Sequence, residues 1–362
     1  METWVLTERD VAEAVNAVGR DGLMDRVVER LDEGLTEAAQ GRRALSPQRA
    51  GFVRDQPVPG VWEWMPHREP GDSITLKTVA YSPANPERFG LPTILGTVAR
   101  YDDATGALTA LTDGVLLTAI RTGAASAVAS RLFAEPGSRV AGVIGAGAQA
   151  VTQLHGLSRV LPLERVLVWD NNPAHAASYA ARVAFLGLDV RIARPEEIAA
   201  ESDVICTATS VPVGEGPVLP DGPTREHLHV NAIGADLVGK TELPVELLRR
   251  AYVVPDHREQ ALHEGECQQL APEETGGSLA EFCAQPERAH ALRGTTTVFD
   301  STGFALEDHL SVEVLLEVAA EHELGTRLRI EHHPADVLDP YAPVPGAVPD
   351  VAPALISGTR RA

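Results

Sequence analysis

The stretch Arg139-Val-Ala-Gly-Val-Ile-Gly-Ala-Gly-Ala-Gln-Ala150 runs from an apolar, strand-like segment into closely spaced glycines and then into small helix formers. Gly145, Gly147 and Ala150 fit the pattern G-x-G-x-x-G/A. In that pattern the first glycine permits a tight turn, the second lets the backbone approach a pyrophosphate, and the third small residue lets helix and strand pack closely. Phosphates would sit on the free N–H groups where the helix opens, at Ala148 and Gln149. The same spacing also fits an ordinary strand-to-helix turn, so the neighbouring segments decide. Val166-Leu-Val-Trp-Asp170 is a second apolar strand that ends in an acid, placed where a carboxylate would hold ribose hydroxyls. An acid there repels a 2′-phosphate, and Asn171-Asn172 offers no arginine to accept one. The sequence therefore predicts NAD rather than NADP, with Arg165 and Arg182 the cations that would weaken that preference if they reached the site.

Outward from this turn the βα alternation continues. Residues 174–186 read as a helix, 188–192 as a strand, 195–200 as a helix, and 202–208, 228–233, 251–254 and 297–299 as strands. That order predicts a Rossmann-type, doubly wound parallel sheet in an α/β protein, whose ligands collect at the carboxyl ends of the strands. Before it, Trp4-Val-Leu6 reads as a short strand. Thr7 is an N-cap with Asp10 three residues on, opening a helix that Gly19 and Gly22 would break. Residues 45–92 change to prolines, glycines and alternating runs, the texture of an antiparallel or mixed sheet, and 93–101 and 107–111 read as a hairpin that completes it. The helix at 113–132 carries small residues, Gly123 to Ala127, that allow close packing on the nucleotide-binding sheet, and the crossover between domains is placed there. A helix at 307–321 and the segment 326–330 return to the first layer. The expected division is a discontinuous α+β domain of residues 1–125 and 310–340, a Rossmann domain of 126–309, and a poorly ordered tail of 341–362.

The bulk numbers exclude several classes of function. The chain has 362 residues and a formal charge of −20, which would repel nucleic acid and anionic membranes. Cys206, Cys267 and Cys283 are too few and too dispersed for a disulfide framework or a zinc site, and read as buried small hydrophobes in a reducing compartment. No leader-like or membrane-length apolar run occurs, so the expectation is a soluble, cytoplasmic protein.

Asp236, in His229-Val-Asn-Ala-Ile-Gly-Ala-Asp236, lies past a strand and a glycine turn, where the nicotinamide end of a dinucleotide would lie. It can act as an acid/base or hold an ammonium group; the alternative is a helix cap near Pro244. Lys240 is either a cofactor contact or a solvated lysine. Arg49, Lys77 and Arg121 would bind a carboxylate if they converged, although each alone reads as a surface cation. Glu63, flanked by Trp62 and Trp64, would be costly to bury unless it met a cation. The histidines in Glu226-His-Leu-His229 and Glu331-His-His333 match no ligand spacing, so no metal is expected. No G-x-S-x-G elbow supports a serine hydrolase.

Six stretches taken in order resemble the ornithine cyclodeaminase/mu-crystallin family: Thr118–Ser126, Val143–Gln149, Ser202–Thr209, Val230–Asp236, Gly239–Leu243 and Val298–Gly303. Trp62–Arg68, Leu76–Val79, Tyr81–Pro86 and Leu262–Gln269 look most like the lysine-cyclising members found in actinobacterial natural-product pathways. The resemblance implies bound NAD, a homodimer paired through the second domain, and conversion of L-lysine to L-pipecolate and ammonia by hydride transfer to NAD and back. It implies carboxylate-binding cations at Arg49, Lys77 and Arg121, with Arg43 a near competitor of Arg49. Glu63 becomes the substrate-orienting glutamate and Asp236 the catalytic aspartate. Gly145, Gly147, Ala148, Gln149, Asp170, Thr209, Ile233, Gly234, Lys240 and Ser301 become cofactor contacts. Within the family, ornithine cyclisation, amino-acid dehydrogenation and ketimine reduction are the alternative activities, and non-catalytic small-molecule binding is the alternative from another class.

Overall fold

A computed structural model describes residues 2–344. The part of the expected disordered tail at 345–362 lies outside the described residues.

The chain begins with β1 (Thr3–Leu6) and a long helix, Glu8–Ala39. Thr7 and Asp10 form the expected capping box, with the Thr7 N–H donating to Asp10 Oδ2 at 2.7 Å. Only Gly19 interrupts the helix, at φ +77°; Gly22 stays helical. Then follow β2 (Ala50–Arg54), β3 (Gly60–Glu69), β4 (Ser73–Tyr81), β5 (Ile94–Asp102) and β6 (Leu108–Asp113), a run of antiparallel neighbours.

The helix Val115–Phe133 leads out of this sheet into β7 (Val140–Ile144) and β8 (Arg165–Trp169). Next come β9 (Asp189–Ile192), β10 (Val204–Thr207), β11 (His229–Ala232), β12 (Tyr252–Pro255) and β13 (Thr297–Asp300). These seven form one sheet in the order β12-β13-β11-β10-β7-β8-β9, every pair parallel. The chain leaves β7 toward β8 on one side and returns to β10 on the other. The glycine turn after β7 thus stands at the topological switch point, where open α/β sheets place their ligands.

The helix Ala305–Glu321 and β14 (Thr326–Leu328) close the first sheet, in the order β14-β1-β6-β5-β4-β3-β2. The inner face of this sheet is covered by Ala305–Glu321, against which Glu8–Ala39 and Val115–Phe133 also pack in one apolar core. The small residues of Val115–Phe133 serve mainly a helix contact. Gly123 and Gly156 bring that helix against Ala148–Val160 so closely that a Cβ on either would meet the other helix's backbone. The sheet contact is polar as well, with Asn231 Nδ2 donating to Ser130 Oγ at 3.0 Å.

Alternation along β3 sends Glu63, Met65 and His67 inward and Trp62, Trp64 and Arg68 outward. Phe52 joins the outward set, its ring centroid 6.3 Å from that of Trp64. These three side chains remain 54%, 42% and 40% exposed for Phe52, Trp62 and Trp64.

Candidate active site

Gly145 adopts φ +90°, and a Cβ there would lie 2.6 Å from the Ala208 carbonyl oxygen after β10. Only glycine fits that conformation at so close an approach. Gly147 is extended and caps the helix Ala148–Val160 with no side-chain bond to the leading N–H groups, and open space surrounds the position of a Cβ. The turn therefore presents free donors and a positive helix end to a cleft a pyrophosphate would fit. Asp170 leaves β8 beside it, accepting from the N–H of Ala146 at 2.7 Å and of Asn172 at 2.8 Å. One oxygen of its carboxylate shapes the turn, and both retain lone pairs for ribose hydroxyls. Arg182 does reach the loop, but its guanidinium is spent on the carbonyls of Ala146 at 2.6 Å and Gly147 at 3.3 Å. Arg165 pairs with Glu201 instead.

On the other side of the switch point the Ile233 N–H donates to the Thr207 carbonyl at 3.1 Å, and Thr209 and Gly234 are held by Glu242, a fully buried carboxylate that the sequence reading passed over. It accepts from Thr207 Oγ1 at 2.6 Å, from Thr209 N and Oγ1 at 2.7 Å each, and from Gly234 N at 2.8 Å. The Glu242 N–H in turn donates to Glu266 at 2.6 Å, and the Glu266 N–H to Asp300 at 2.9 Å. The ends of β10, β11 and β13 are thus locked together by three acids. Burial raises the Asp300 carboxyl to about 7 against the backbone donors that favour its ionised form. Ser301 Oγ and Gln149 Oε1 are buried without protein partners. Unpaired polar atoms at the mouth of the cleft are free to serve a bound dinucleotide.

Asp236 does not cap the helix Val245–Arg250, whose N-cap is Pro244. Its carboxylate meets Lys240 Nζ at 2.9 Å. Lys240 is buried, not solvated, and its ammonium also lies 5.1 Å from the centre of the Tyr81 ring. Burial opposes its charge, but Asp236, Tyr81 and Glu242 outweigh that and raise its pKa.

The three cations that individually read as surface residues are all buried and face one region. Arg49 Nη2 donates to the Asp236 carbonyl at 2.7 Å and Nη1 to the Thr302 carbonyl at 2.9 Å, while Nε lies 3.1 Å from Glu63 and 2.7 Å from Glu264. Lys77 Nζ is 2.8 Å from Asp308, and Arg121 bonds Asp308 at 3.1 Å and Glu307 at 2.7 Å. Gly303 permits this arrangement, because a Cβ there would strike the Arg121 guanidinium. Burial and the neighbouring Arg121 lower the Lys77 ammonium to about 8, against Asp308. Burial likewise lifts the Glu307 carboxyl to about 8. Cations held in place by acids behind them are preset to receive a carboxylate in front. Arg43 belongs to another group, paired with Glu37, Glu69 and Glu313.

Glu264, Glu307, Asp308 and Glu242 are the site residues that sequence reasoning missed. Glu264 and Glu242 lie within stretches already singled out; Glu307 and Asp308 read only as the first turn of a helix.

The histidine pairs of the sequence reading do not assemble: His227 bonds Asp203, and His229 bonds Thr297. A different set, His67, Glu69 and His309, brings potential ligand atoms within 4.8 Å of one another. Arg43 and Arg100 already balance the carboxylates of that region. A divalent ion would add like charge beside two guanidinium groups. All three cysteines are free and buried.

The sequence profile of the ornithine cyclodeaminase/mu-crystallin family matches residues 8–323. An L-lysine cyclodeaminase of Streptomyces rapamycinicus is 53% identical over 342 residues, covering 94% of this chain and 100% of the relative. A lysine cyclodeaminase solved to explain its recognition of L-lysine, L-ornithine and L-2,4-diaminobutyric acid superposes with a TM-score of 0.93 at 69% identity, covering 94% of this chain and 99% of that one. An archaeal alanine dehydrogenase dimer with bound NAD superposes with a TM-score of 0.80 at 30% identity, covering 91% of this chain and 100% of its own. With its glycine turn at the switch point and its cations gathered opposite, the chain belongs to the ornithine cyclodeaminase/mu-crystallin family.

Proposed function

We propose that this protein is an NAD-dependent cyclodeaminase that converts L-lysine to L-pipecolate and ammonia. The observation that carries the reading is Arg49, which links the β3–β4 layer to the backbone of Asp236 and Thr302 and so sets the carboxylate-binding cations against the acid/base at the end of β11. The similarity to L-lysine cyclodeaminases over nearly the whole chain supports the choice of substrate.

In this mechanism Gly145, Gly147, Ala148 and Gln149 would hold the pyrophosphate and Asp170 the ribose, and Thr209, Ile233, Gly234, Lys240 and Ser301 would hold the nicotinamide end. NAD, when bound, supplies a two-electron acceptor that takes the α-hydrogen of lysine and later returns it. Lys77, Arg121 and Arg49 bind the substrate carboxylate and fix the α-carbon. Glu63 orients the α-ammonium. Asp236 accepts a proton from the distal ammonium, whose ordinary pKa of about 10.4 leaves almost no free amine at neutral pH. The freed nitrogen attacks the α-imine, the α-nitrogen departs as ammonia, and the cyclic imine is reduced to pipecolate. Ornithine is accepted more weakly, since one methylene in a pocket is worth only about 1–3 kcal/mol.

The same reading assigns residues 1–125 and 310–340 to substrate binding and dimerisation and 126–309 to NAD binding. A homodimer is supported by the bare outward face of β2 and β3, where Phe52, Trp62 and Trp64 stand together. No helix among the described residues is long and apolar enough to cross a membrane. A cytoplasmic location is part of the proposal and is supported by the three free cysteines. Purified protein with trace NAD and excess L-lysine is expected to yield equal amounts of ammonia and pipecolate without accumulating NADH; stoichiometric NADH would identify a dehydrogenase instead.

A further inference from the structure

Proton bookkeeping in that reaction leaves one demand unassigned. The α-nitrogen must lose a proton before the α-carbon can be oxidised to an imine, and the same nitrogen must gain one to leave as ammonia. Asp236 serves the distal nitrogen, so a second group must store the α-proton between these two events.

We infer that Glu264 and Glu63 form one carboxyl pair that takes up the α-ammonium proton and returns it to the departing nitrogen, with Glu264 the positioning partner of Glu63. This rests on the cyclodeaminase reading. The geometry is specific: Arg49 Nε makes ion-pair contacts with both acids, 3.1 Å from Glu63 Oε1 and 2.7 Å from Glu264 Oε1, while neither Nε nor Glu264 Oε1 is hydrogen-bonded. One N–H cannot fully satisfy two carboxylates, and the other Arg49 nitrogens are engaged by the Thr302 and Asp236 carbonyls. Both glutamates are largely buried, with side chains 15% and 12% exposed for Glu63 and Glu264, so water does little to keep both ionised.

The charges around the pair agree. Burial raises Glu264 to about 7, with Glu63 and Asp236 adding to the rise and Arg49 opposing it. Burial also raises Glu63, with Asp236 adding and with Arg49 and Lys77 opposing. Asp256 is the further acid that faces Arg49. Arg49 is therefore the cation that restrains proton uptake by both acids. When the substrate carboxylate draws on Arg49, that restraint weakens as the α-ammonium arrives beside Glu63.

The step balances without an added reactant. The α-ammonium gives its proton to the Glu63–Glu264 pair, and the distal nitrogen forms its bond to the α-carbon. Attack moves the C=N π electrons onto the α-nitrogen, which takes the stored proton and leaves as ammonia with the C–N bonding electrons; the proton that the ring nitrogen sheds as its own C=N bond forms goes out with that ammonia as ammonium. Over one turnover the pair neither gains nor loses a proton.

The test compares wild type with Glu264→Gln and Glu264→Asp. Glutamine keeps an oxygen for Arg49 but removes the second carboxyl. The expected result is a wild-type kcat/KM for L-lysine that falls below about pH 7, and a Glu264→Gln profile whose acid limb lies about one unit lower. Its kcat falls about tenfold or more while KM and NAD affinity stay within about twofold. Glu264→Asp restores the limb. A superimposable pH profile, or equal losses in KM and NAD affinity without a shifted limb, would overturn the proposal in favour of a structural role. A readout independent of turnover is carbon NMR of carboxyl-labelled glutamate in the intact protein. It should show a one-proton titration near pH 7 that both Glu264→Gln and Glu63→Gln abolish; a Glu264 resonance indifferent to Glu63→Gln overturns the pair. Wild type that makes no pipecolate would refute the reaction, and the titration would still decide on the pair.

Discussion

Lys240 Nζ stands 2.9 Å from Asp236 Oδ1, one turn of chain away and buried beside Tyr81. Asp236 is thereby fixed at the end of β11 while its carboxylate stays partly open to the cleft. Asp236→Asn keeps an oxygen for Lys240 but loses the proton acceptor. Turnover should fall by about 10²–10⁴-fold. The melting temperature should move by no more than about 4 °C, the shift that ~1 kcal/mol produces in a protein of this size class. Steady-state kinetics and calorimetry on the same sample check both parts.

Asp308 bonds both Lys77 and Arg121, so it presets two of the three cations proposed to bind the substrate carboxylate. Asp308→Ala leaves two buried cations without that partner, and stability should drop by about 3–5 kcal/mol, the usual cost of breaking a buried pair. Urea unfolding measures the loss. In whatever fraction remains folded, KM for lysine should rise more than kcat falls.

Five buried carboxyls have their proton affinity raised in the folded state: Glu63 and Glu266, together with Glu264 to about 7, Asp300 to about 7 and Glu307 to about 8. A folded state that binds protons more tightly than the unfolded chain is favoured at low pH. Their contribution is fully present below the unfolded carboxyl range and is lost as pH rises through 7 to 8. Between about pH 6.5 and 8, above the range in which the buried His67 and His229, both lowered to about 3, make stability rise with pH, stability of the NAD-free protein should therefore decline. The slope should be shallower in Glu307→Gln, which denaturant titrations at several pH values would reveal.

The outward face of β2 and β3 supplies the fourth prediction. An isologous interface doubles every substitution, so Trp62→Glu with Trp64→Glu places four carboxylates in the contact of a dimer. Sedimentation velocity should show a dimer for wild type and a monomer for the double variant, with the far-ultraviolet spectrum unchanged. A wild-type monomer would remove the dimer from the account.

The glycine turn and the alternation of strands and helices were legible in the sequence because they depend on local chemistry: apolar runs of strand length, a positive φ only glycine tolerates, and an acid at a strand end. The capping box at Thr7 and Asp10 was legible for the same reason. The burial of Arg49, Lys77 and Arg121 was not, because isolated cations usually lie at the surface and only tertiary packing brings these inside: Lys77 from β4 and Arg121 from Val115–Phe133 against Ala305–Glu321, and Arg49, just before β2, against the backbone of Asp236 and Thr302. Their partners come from distant parts of the chain, as Lys77 with Asp308 and Arg49 with Glu264 show. Nothing in the local pattern of Glu307 and Asp308 distinguishes them from acids placed at a helix start for its dipole. Glu242 escaped notice likewise, since its four donors, on three residues, come from the ends of two strands.

The central claim is that the distal nitrogen of lysine displaces the α-nitrogen while the α-hydrogen leaves and returns. The most direct measurement is turnover of L-lysine carrying 15N at the α-nitrogen and deuterium at the α-carbon, with products read by mass spectrometry. The expected products are 15N-labelled ammonia and pipecolate that retains deuterium at carbon 2. 15N kept in pipecolate, or deuterium lost to solvent, would overturn this reaction.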